Sequence, residues 1–329
     1  MSVPVKESPG GRVAPPRSGG AYRDQASVEA GFETRPAEPG APQPAGQSAP
    51  QSAGLGAPQP AVWRRLRGIR PDLVLAWAVI ALAIAWAIVP WLFTAADPLA
   101  GVPAEKLQAP SPAHPFGTDA IGRDLYARVV HGSVHSLSGA FVAVTVGLVG
   151  GTLLGVLAGS LGGVVDAVIG RVVDVLLAIP ALLLSLSIII LLGFGTVNAA
   201  IAVGVGSIAA FARLSRAEVV RVRQADFVEA AFGSGARLPA VLFRHVLPNS
   251  LTAVIALAAL QFGTAILAIS TLGFLGYGAP PPTPEWGLLI AEGRNYVATS
   301  WWLTVLPGLV VVVVVLAANR ISHALGRNR

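Results

Sequence analysis

The sequence predicts an all-α membrane protein with six transmembrane helices behind a long N-terminal tail, and three observations lead to this fold class. Hydrophobic residues make up 53% of the 329 residues and charged residues only 12%, with a mean hydropathy of +0.66. Soluble domains carry about 25% charged residues. Charge-free stretches long enough to cross a bilayer recur from residue 73 onward, whereas residues 1–62 are rich in Pro, Ala and Gly.

The N-terminal tail, residues 1–62, is predicted to be disordered and cytoplasmic. Its sequence, for example GAPQPAGQSAPQSAGLGAPQP, has no apolar periodicity that could offset the entropy lost on ordering. A secretory signal is not predicted, because a signal needs a basic segment followed directly by about 7–15 apolar residues. The first apolar core starts only near Leu73.

Six transmembrane helices are predicted within a polytopic domain that covers 63–329. The rule applied is that about 20 apolar residues cross a hydrocarbon core of ~30 Å. One charge-free stretch is too long for a single span, and the cluster from Gly193 to Asn198 divides it in two. The predicted helices cover about 73–94, 136–159, 175–192, 198–216, 250–277 and 301–319.

Two features within these helices predict their packing. Pro180 is expected to kink the third helix, most simply as a static bend. Glycines recur every four residues along the second helix, at Gly147, Gly151, Gly155, Gly159 and Gly163. This spacing predicts a bare face that another helix approaches closely, either from this chain or from a second subunit.

The distribution of basic residues predicts the orientation. Arginines cluster before the first helix, between the fourth and fifth helices and at the C-terminus, whereas the opposite side has only Lys106, Arg123, Arg128 and Arg294. Because cytoplasmic flanks collect Lys and Arg, both termini are predicted to be cytoplasmic. The expected location is therefore a bacterial cytoplasmic membrane, crossed several times.

A polar, basic segment over 218–249 lies on the predicted cytoplasmic side. Asp226 is expected to cap a short helix with Glu229 three residues later, and Gly235 to permit a sharp reversal. A second short helix is expected from about Pro239 to a stop at Leu247-Pro248. Two short helices joined by a glycine form a docking element for a partner.

The alternative for this segment is an amphipathic helix that rests on anionic lipid through Arg237 and Arg244.

A second charged group, formed by Asp166, Arg171 and Asp174, lies at the cytoplasmic start of the third helix. Arg171 and Asp174 are three residues apart and are predicted to pair on one helix face as a supporting ion pair.

Several functions are excluded by residues that the sequence lacks. It has no cysteine, which excludes disulfides, thiolate metal sites and cysteine nucleophiles. A nucleotide-binding P-loop needs a lysine after a glycine-rich turn, and neither Lys6 nor Lys106 follows one. His114 and His131 have no acidic residues at metal-ligand spacing. We therefore predict no enzyme activity, no catalytic residue, no metal and no cofactor of the chain's own, and no nucleic-acid partner.

An ATP-independent carrier is the main alternative from another class. Ion-coupled carriers generally bury charged residues near the middle of the membrane, yet no charge lies at the centre of any predicted span. Gln261 is the notable polar residue deep in the fifth helix. It either lines a path or hydrogen-bonds to a neighbouring helix, and the second interpretation is favoured.

The cytoplasmic segment carries a family resemblance. Its pattern Glu229-Ala230-Ala231, then Gly235, then Val246-Leu247-Pro248 resembles the EAA loop of binding-protein-dependent ABC importer permeases. In that family this loop is the coupling helix that inserts into a groove of the ATPase subunit.

The resemblance extends over about 115–300. The segment from His114 to Asp124 (HPFGTDAIGRD) is similar to the one before the second helix in the second permease subunit of dipeptide, oligopeptide and nickel importers. The same holds for GGVVD at 162–166, FRHVLPN at 243–249 and PPTPEWG at 281–287. One position departs from the pattern, because Ile269 stands where related permeases commonly have an acidic residue.

The resemblance implies a type I ABC importer permease fold and a role in peptide import. A homologous permease would complete the translocation path for di- or oligopeptides in the lipid bilayer. Two ABC ATPase subunits would use ATP, and an extracytoplasmic solute-binding protein would deliver the substrate. Import of nickel or another small solute is the alternative within the family.

Overall fold

The computed structural model describes residues 71–326, and this part of the chain consists almost entirely of α-helices. The predictions for the N-terminal tail and the last three residues lie outside it. The helices are α1 Pro71–Ile88, α2 Leu125–Leu161, α3 Gly163–Ala178, α4 Ala181–Leu192, α5 Thr196–Arg223, α6 Asp226–Gly233, α7 Leu238–Val241, α8 Leu247–Phe274, α9 Trp286–Gly293 and α10 Trp302–Gly326. Single turns of 3-10 helix cover Pro90–Leu92, Pro103–Glu105 and Arg294–Tyr296.

The predicted number of membrane spans agrees with the helices of the structure. Within residues 71–326, five helical segments are long and apolar enough to cross a membrane. The bent pair α3 and α4 forms a sixth span if its two helices are counted together. The all-α, six-span fold class is therefore confirmed.

The third span differs most from its prediction. Instead of one helix over 175–192, the chain forms α3 and α4, which meet at an angle of 97°. Ile179 has an extended backbone at φ −86° and ψ 128°. A proline disfavours helical geometry in the residue before it, so Pro180 ends α3 and α4 starts in a new direction. The predicted kink is a complete break.

The remaining spans differ from their predictions at the ends. The first helix stops at Ile88 rather than at 94, because Val89 leaves the helical region before Pro90. At the second helix, the carboxylate of Asp124 accepts a hydrogen bond from the Ala127 N–H at 2.8 Å and starts the helix well before 136. The fourth and sixth helices run on to Arg223 and Gly326, since a helix can continue into water after it leaves the bilayer.

The glycine face of α2 packs against α5 of the same chain. A Cβ added to Gly151 would lie 2.5 Å from the Ile208 carbonyl oxygen, and one added to Gly155 would lie 2.5 Å from that of Ala212. These distances are too short for any side chain, so the two backbones touch through the glycines. Gly163 does not belong to this face: it begins α3 at φ +54°, with open space around it.

The largest apolar core lies where α2, α8, α9 and α10 meet. Val129 of α2, Ile266 and Ile269 of α8 and Trp286 of α9 are almost completely buried there. The Trp286 indole N–H donates to the Val129 carbonyl oxygen at 2.9 Å, which satisfies its one polar atom. This core holds α9, which lies between two spans, against the N-terminal part of α2.

Candidate functional site

The predicted loop over 218–249 is largely helical and has two arms, one that leaves the helix bundle and one that returns to it. The returning arm consists of α7 and the turn Leu242–Val246, which lead into α8. The first arm is α5, which continues to Arg223, followed by α6 from Asp226 to Gly233. Ala225, in extended conformation, precedes α6 without a side-chain cap, and Asp226 is already helical. The expected cap by Asp226 is wrong, because Asp226 lies one position too late to reach the free N–H groups.

A cluster of buried valines holds α6 in place. Val228 is fully buried against Val219 and Val222 of α5 and against Val241 and Val246 of the returning arm. This small core lies under α6 and binds both arms of the segment together. One face of α6 is therefore used for internal packing.

The other face of α6 is exposed. Glu229, Ala230 and Phe232 are all exposed, with 39% of Phe232 accessible, while Ala231 is half-buried against the valine cluster. Small residues beside a carboxylate leave the helix backbone open to close approach. Glu229, Ala230 and Phe232 form this solvent-exposed face.

Gly235 forms the reversal between the arms. Its φ is +87°, a conformation that residues with a Cβ rarely adopt, and nothing lies within 4 Å of where a Cβ would be. Its N–H donates to the Phe232 carbonyl at 2.9 Å, and the next N–H, that of Ala236, donates to Ala231 at 3.1 Å. A glycine is thus required here by backbone conformation rather than by space.

The sequence predicts that the second short helix stops at Leu247-Pro248, but the returning arm continues through these residues without a break. After α7, Leu242–Val246 form a π-helical turn that runs directly into α8, with the Leu247 N–H bonded to the Leu242 carbonyl. Pro248 lies in the first turn of α8. A proline needs no N–H partner in a first turn, so the chain passes it without a break. Pro248 is exposed and Leu247 half-buried.

The charged group on α3 pairs with α5 rather than within itself. Asp174 accepts a hydrogen bond from Arg213 at 3.0 Å, and Asp166 accepts one from the Arg216 Nη2 at 2.6 Å. Arg171 is exposed beside them, so the predicted pair of Arg171 with Asp174 is wrong. The 97° bend after α3 and the close packing of α2 on α5 bring α3 alongside the arginines of α5. Spacing along one helix cannot reveal such a partner.

A cavity of about 370 Å³ lies between α2, α4, α5 and α8. Within the described part of the chain, its polar side chains are hydroxyl and amide groups only, from Ser185, Ser207, Gln261, Thr264 and Thr271. Gln261 accepts a hydrogen bond from Thr264 on its own helix at 3.0 Å. The favoured expectation of a bond to a neighbouring helix is therefore wrong, and the structure supports the alternative, a residue that lines an open space.

On the side opposite the EAA-like segment, a buried ionic network joins the loop before α2 to α2 itself and to α9. Arg128 is fully buried in α2 and donates to Asp119 at 2.9 Å and to Glu292 at 2.5 Å, while Arg123 donates to Asp119 at 2.6 Å. Burial alone would raise the pKa of Asp119. The hydrogen bonds from the Arg123 and Ile121 N–H groups and from the Arg123 guanidinium outweigh that effect and lower this pKa.

His114 also belongs to this region. Its Nδ1 lies 2.8 Å from an oxygen of Asp124, and its Nε2 lies 3.5 Å from one of Glu105. The spacing of these residues in the sequence does not predict this arrangement, because the folding of the loop brings together residues that lie apart in the chain. Even so, the described residues contain no group of three acidic, histidine or cysteine side chains that could hold a metal ion.

Comparison with known proteins places the chain in a family. Residues 151–329 match the family described as "Binding-protein-dependent transport system inner membrane component". The chain is 39% identical to the dipeptide transport system permease protein DppC of Alkalihalophilus pseudofirmus, over 68% of this chain and 73% of that protein. The chain belongs to this family.

Further relatives agree with this assignment. The permease is 38% identical to the probable D,D-dipeptide transport system permease protein DdpC of Escherichia coli, over 78% of this chain and 86% of that protein. The crystal structure of an amino acid ABC transporter with histidines shares the fold, with a TM-score of 0.50 and 16% identity over 62% of this chain and 95% of the other. The permease is thus a multi-pass inner-membrane component.

The structure also explains the departure at Ile269. In this permease Ile269 is 1% exposed, and a Cβ on Gly139 would lie 3.2 Å from its Cδ1. The position faces α2 inside the main core rather than the cavity. An apolar residue is stable there because a carboxylate would lose its hydration.

Proposed function

We propose that this permease imports di- or oligopeptides as one of two homologous permease subunits that share a central path. The relatives named above are described as dipeptide and D,D-dipeptide transport permeases. The cavity between α2, α4, α5 and α8 supports a peptide substrate, because hydroxyl and amide groups can bond peptide groups without holding them tightly. Among the residues that the structure describes, those that line this cavity include no histidine or carboxylate, which disfavours nickel and proton-coupled transport.

Coupling to two separate ATPase subunits is assigned to the EAA loop. The site residues of this proposal are Glu229, Ala230, Ala231, Gly235, Val246, Leu247 and Pro248. The single observation that carries it is the exposed face of α6, formed by Glu229, Ala230 and Phe232 on a helix whose other face is anchored by buried valines. A surface that is exposed yet rigidly held is suited to receive force from a partner.

The mechanism follows from this anchoring. ATP closes the two ATPases, their grooves move the EAA loops, and the helix bundles turn outward to receive substrate from an extracytoplasmic binding protein. Hydrolysis then returns them inward. Both termini and the EAA loop are cytoplasmic in this proposal. The ion pairs of Asp166 and Asp174 with α5 support the bundle near the loop, and ATP is bound by the partners alone.

Site-directed photocrosslinking tests the coupling assignment. Since the chain has no native cysteine, a crosslinker can be attached at F232C on α6 or, as a control, at the exposed V297C on the opposite side. In the assembled complex, F232C is expected to capture the nucleotide-binding subunit and V297C is not. Failure of F232C to capture an ATPase that co-purifies with the permease would refute the assignment.

Uptake of a labelled dipeptide into proteoliposomes tests the transport class. With both permeases, the ATPases and the binding protein present, uptake is expected to require hydrolysable ATP. Uptake that continues without the ATPase subunits and collapses with an uncoupler would instead favour the carrier. Nickel uptake with no dipeptide uptake would contradict the substrate class.

A further inference from the structure

The C-terminal end of α2 is capped by a residue from another helix. A helix leaves its last carbonyl groups without partners within the helix and carries partial negative charge at that end. In α2, the Arg223 Nη1 donates to the carbonyl oxygens of Gly159 at 2.8 Å and Ser160 at 2.7 Å. A charged donor at two free carbonyls is a strong contact.

Arg223 lies at the junction between α5 and α6. It is the last residue of α5, and α6 with its exposed face begins only three residues later, at Asp226. Its side chain is half-buried, so the contact with α2 is partly shielded from water. Arg223 thereby attaches the base of the EAA loop to α2 at Gly159, which lies 64 residues earlier in the chain.

The glycine face extends this attachment into the bundle. Just above the Arg223 contact, a Cβ on Gly159 would lie 2.8 Å from Val219, and one on Gly155 would lie 2.6 Å from Ser215. The α2 and α5 backbones are therefore in contact from this point towards the cavity, where Gly147 meets Ser207. Closely packed interiors of this kind have low compressibility and transmit strain.

We propose that Arg223 is a positioning residue that makes α2, α5 and α6 move as one body. A force applied to α6 then reaches the cavity through α2 as well as α5, and without Arg223 part of the movement is lost at the α5–α6 junction. The proposal rests on the proposed function, because it assigns the path by which the ATPases act on the substrate path.

A distance measurement in the assembled complex tests the one-body movement. Spin labels at L161C, the exposed end of α2, and S234C, directly after α6, report the separation of the two elements with and without ATP. In the otherwise unchanged chain the distance distribution is expected to be narrow and equal in both states. With R223Q it is expected to broaden and to differ between the states, whereas R221Q, which removes an exposed arginine paired with Glu218, leaves it unchanged.

A second measurement separates positioning from simple stability. The ratio of dipeptide imported to ATP hydrolysed is expected to fall at least about twofold in R223Q, in the range seen for residues that carry coupling. R223K keeps the positive charge at the helix end and is expected to restore much of the ratio. A variant that only folded less well would give fewer complexes with an unchanged ratio, and that result would overturn the proposal.

Failure of the proposal is distinguishable from failure of the proposed function. If the unmodified complex shows no ATP-dependent dipeptide uptake, the function is wrong. If that uptake is present while R223Q keeps either the narrow distance distribution or the full ratio, the inference about Arg223 is wrong.

Discussion

Ser136 of α2 donates a hydrogen bond to the carboxylate of Glu285, 3.2 Å away and 149 residues later in the chain. Glu285 is fully buried and caps α9, since its two oxygens accept from the Gly287 and Leu288 N–H groups, each at 2.9 Å. Burial raises the pKa of Glu285, although these three hydrogen bonds oppose the shift. One side chain thus joins α9 to α2.

We expect E285A to destabilise the permease by about 2 kcal/mol, because it removes a helix cap and leaves two buried N–H groups without partners. E285Q should cost less, since an amide oxygen replaces one acceptor and the buried site favours a neutral group. The measurement is the melting temperature of the purified permease in detergent. S136A should lower it slightly, while S138A, at an exposed position two residues on, should not. Equal melting temperatures for E285A and the unchanged chain would contradict this role.

Asp119 is expected to make stability depend on acid pH. Its pKa is lowered in the folded protein, so its contribution is fully present above the ordinary value of 3.8 and is lost as the pH falls through the folded pKa. D119N should lower the melting temperature at neutral pH. It should also reduce the further loss of stability that occurs as the pH falls below the ordinary value of 3.8. If the melting temperatures of D119N and of the unchanged chain fall equally in acid, the effect belongs to other carboxylates, such as Glu292.

Gly151 is expected to tolerate no side chain. In G151A the new methyl group would lie 2.4 Å from the Phe211 Cβ and 2.5 Å from a backbone oxygen, neither of which can move freely. Overpacking of this kind costs about 1–3 kcal/mol. G170A in α3 is the matched control, because nothing lies within 4 Å of its Cβ position. We expect a lower yield of folded permease by size-exclusion chromatography for G151A only.

Gly235 is expected to matter through backbone conformation. G235A would force a residue with a Cβ to φ +87°, which costs about 1–2 kcal/mol, and G235V should be worse. G233A also adds a methyl group in open space but in helical backbone, so it should be neutral. Dipeptide uptake should fall strongly for G235V at normal membrane levels of the permease. Normal uptake by G235V would count against the coupling role of this loop.

Gln261 is expected to contact the substrate in transit. Q261L keeps the size of the side chain but removes its hydrogen-bonding groups from the cavity, at a cost of about 1 kcal/mol or about fivefold in kcat/KM. I255A, at an exposed position on the same helix away from the cavity, is the control. The measurement is the rate of ATP-dependent dipeptide uptake against dipeptide concentration. An unchanged kcat/KM for Q261L would remove Gln261 from the path.

Much of the architecture was predictable because it depends on local composition. The charge-free stretches indicated all six spans, since a bilayer excludes charge whatever the tertiary packing. The spacing of Gly147, Gly151, Gly155 and Gly159 indicated a close helix contact, and the Gly235 reversal followed from the conformational freedom of glycine. The EAA resemblance placed the candidate coupling segment on α6.

The partners of polar residues were not predictable in the same way. Asp174 was expected to pair with Arg171, three residues away, but contacts Arg213 on another helix. Pro180 was expected to bend a helix and instead separates two. Pro248 was expected to stop one and instead lies in its first turn. In each case the outcome depends on the position of a distant or adjoining element. The spacing of residues along one helix gives no information about that position.

The sequence by itself determined that this protein is a six-span membrane permease with an EAA-like segment, because hydropathy, charge and short motifs act locally. Only the tertiary structure decided which helix the glycine face touches, that Arg223 caps the end of α2, and that Glu285 joins α9 to Ser136. The physical reason is that hydrogen bonds and close contacts act over a few ångströms. Residues far apart in the chain meet only after the helices have packed.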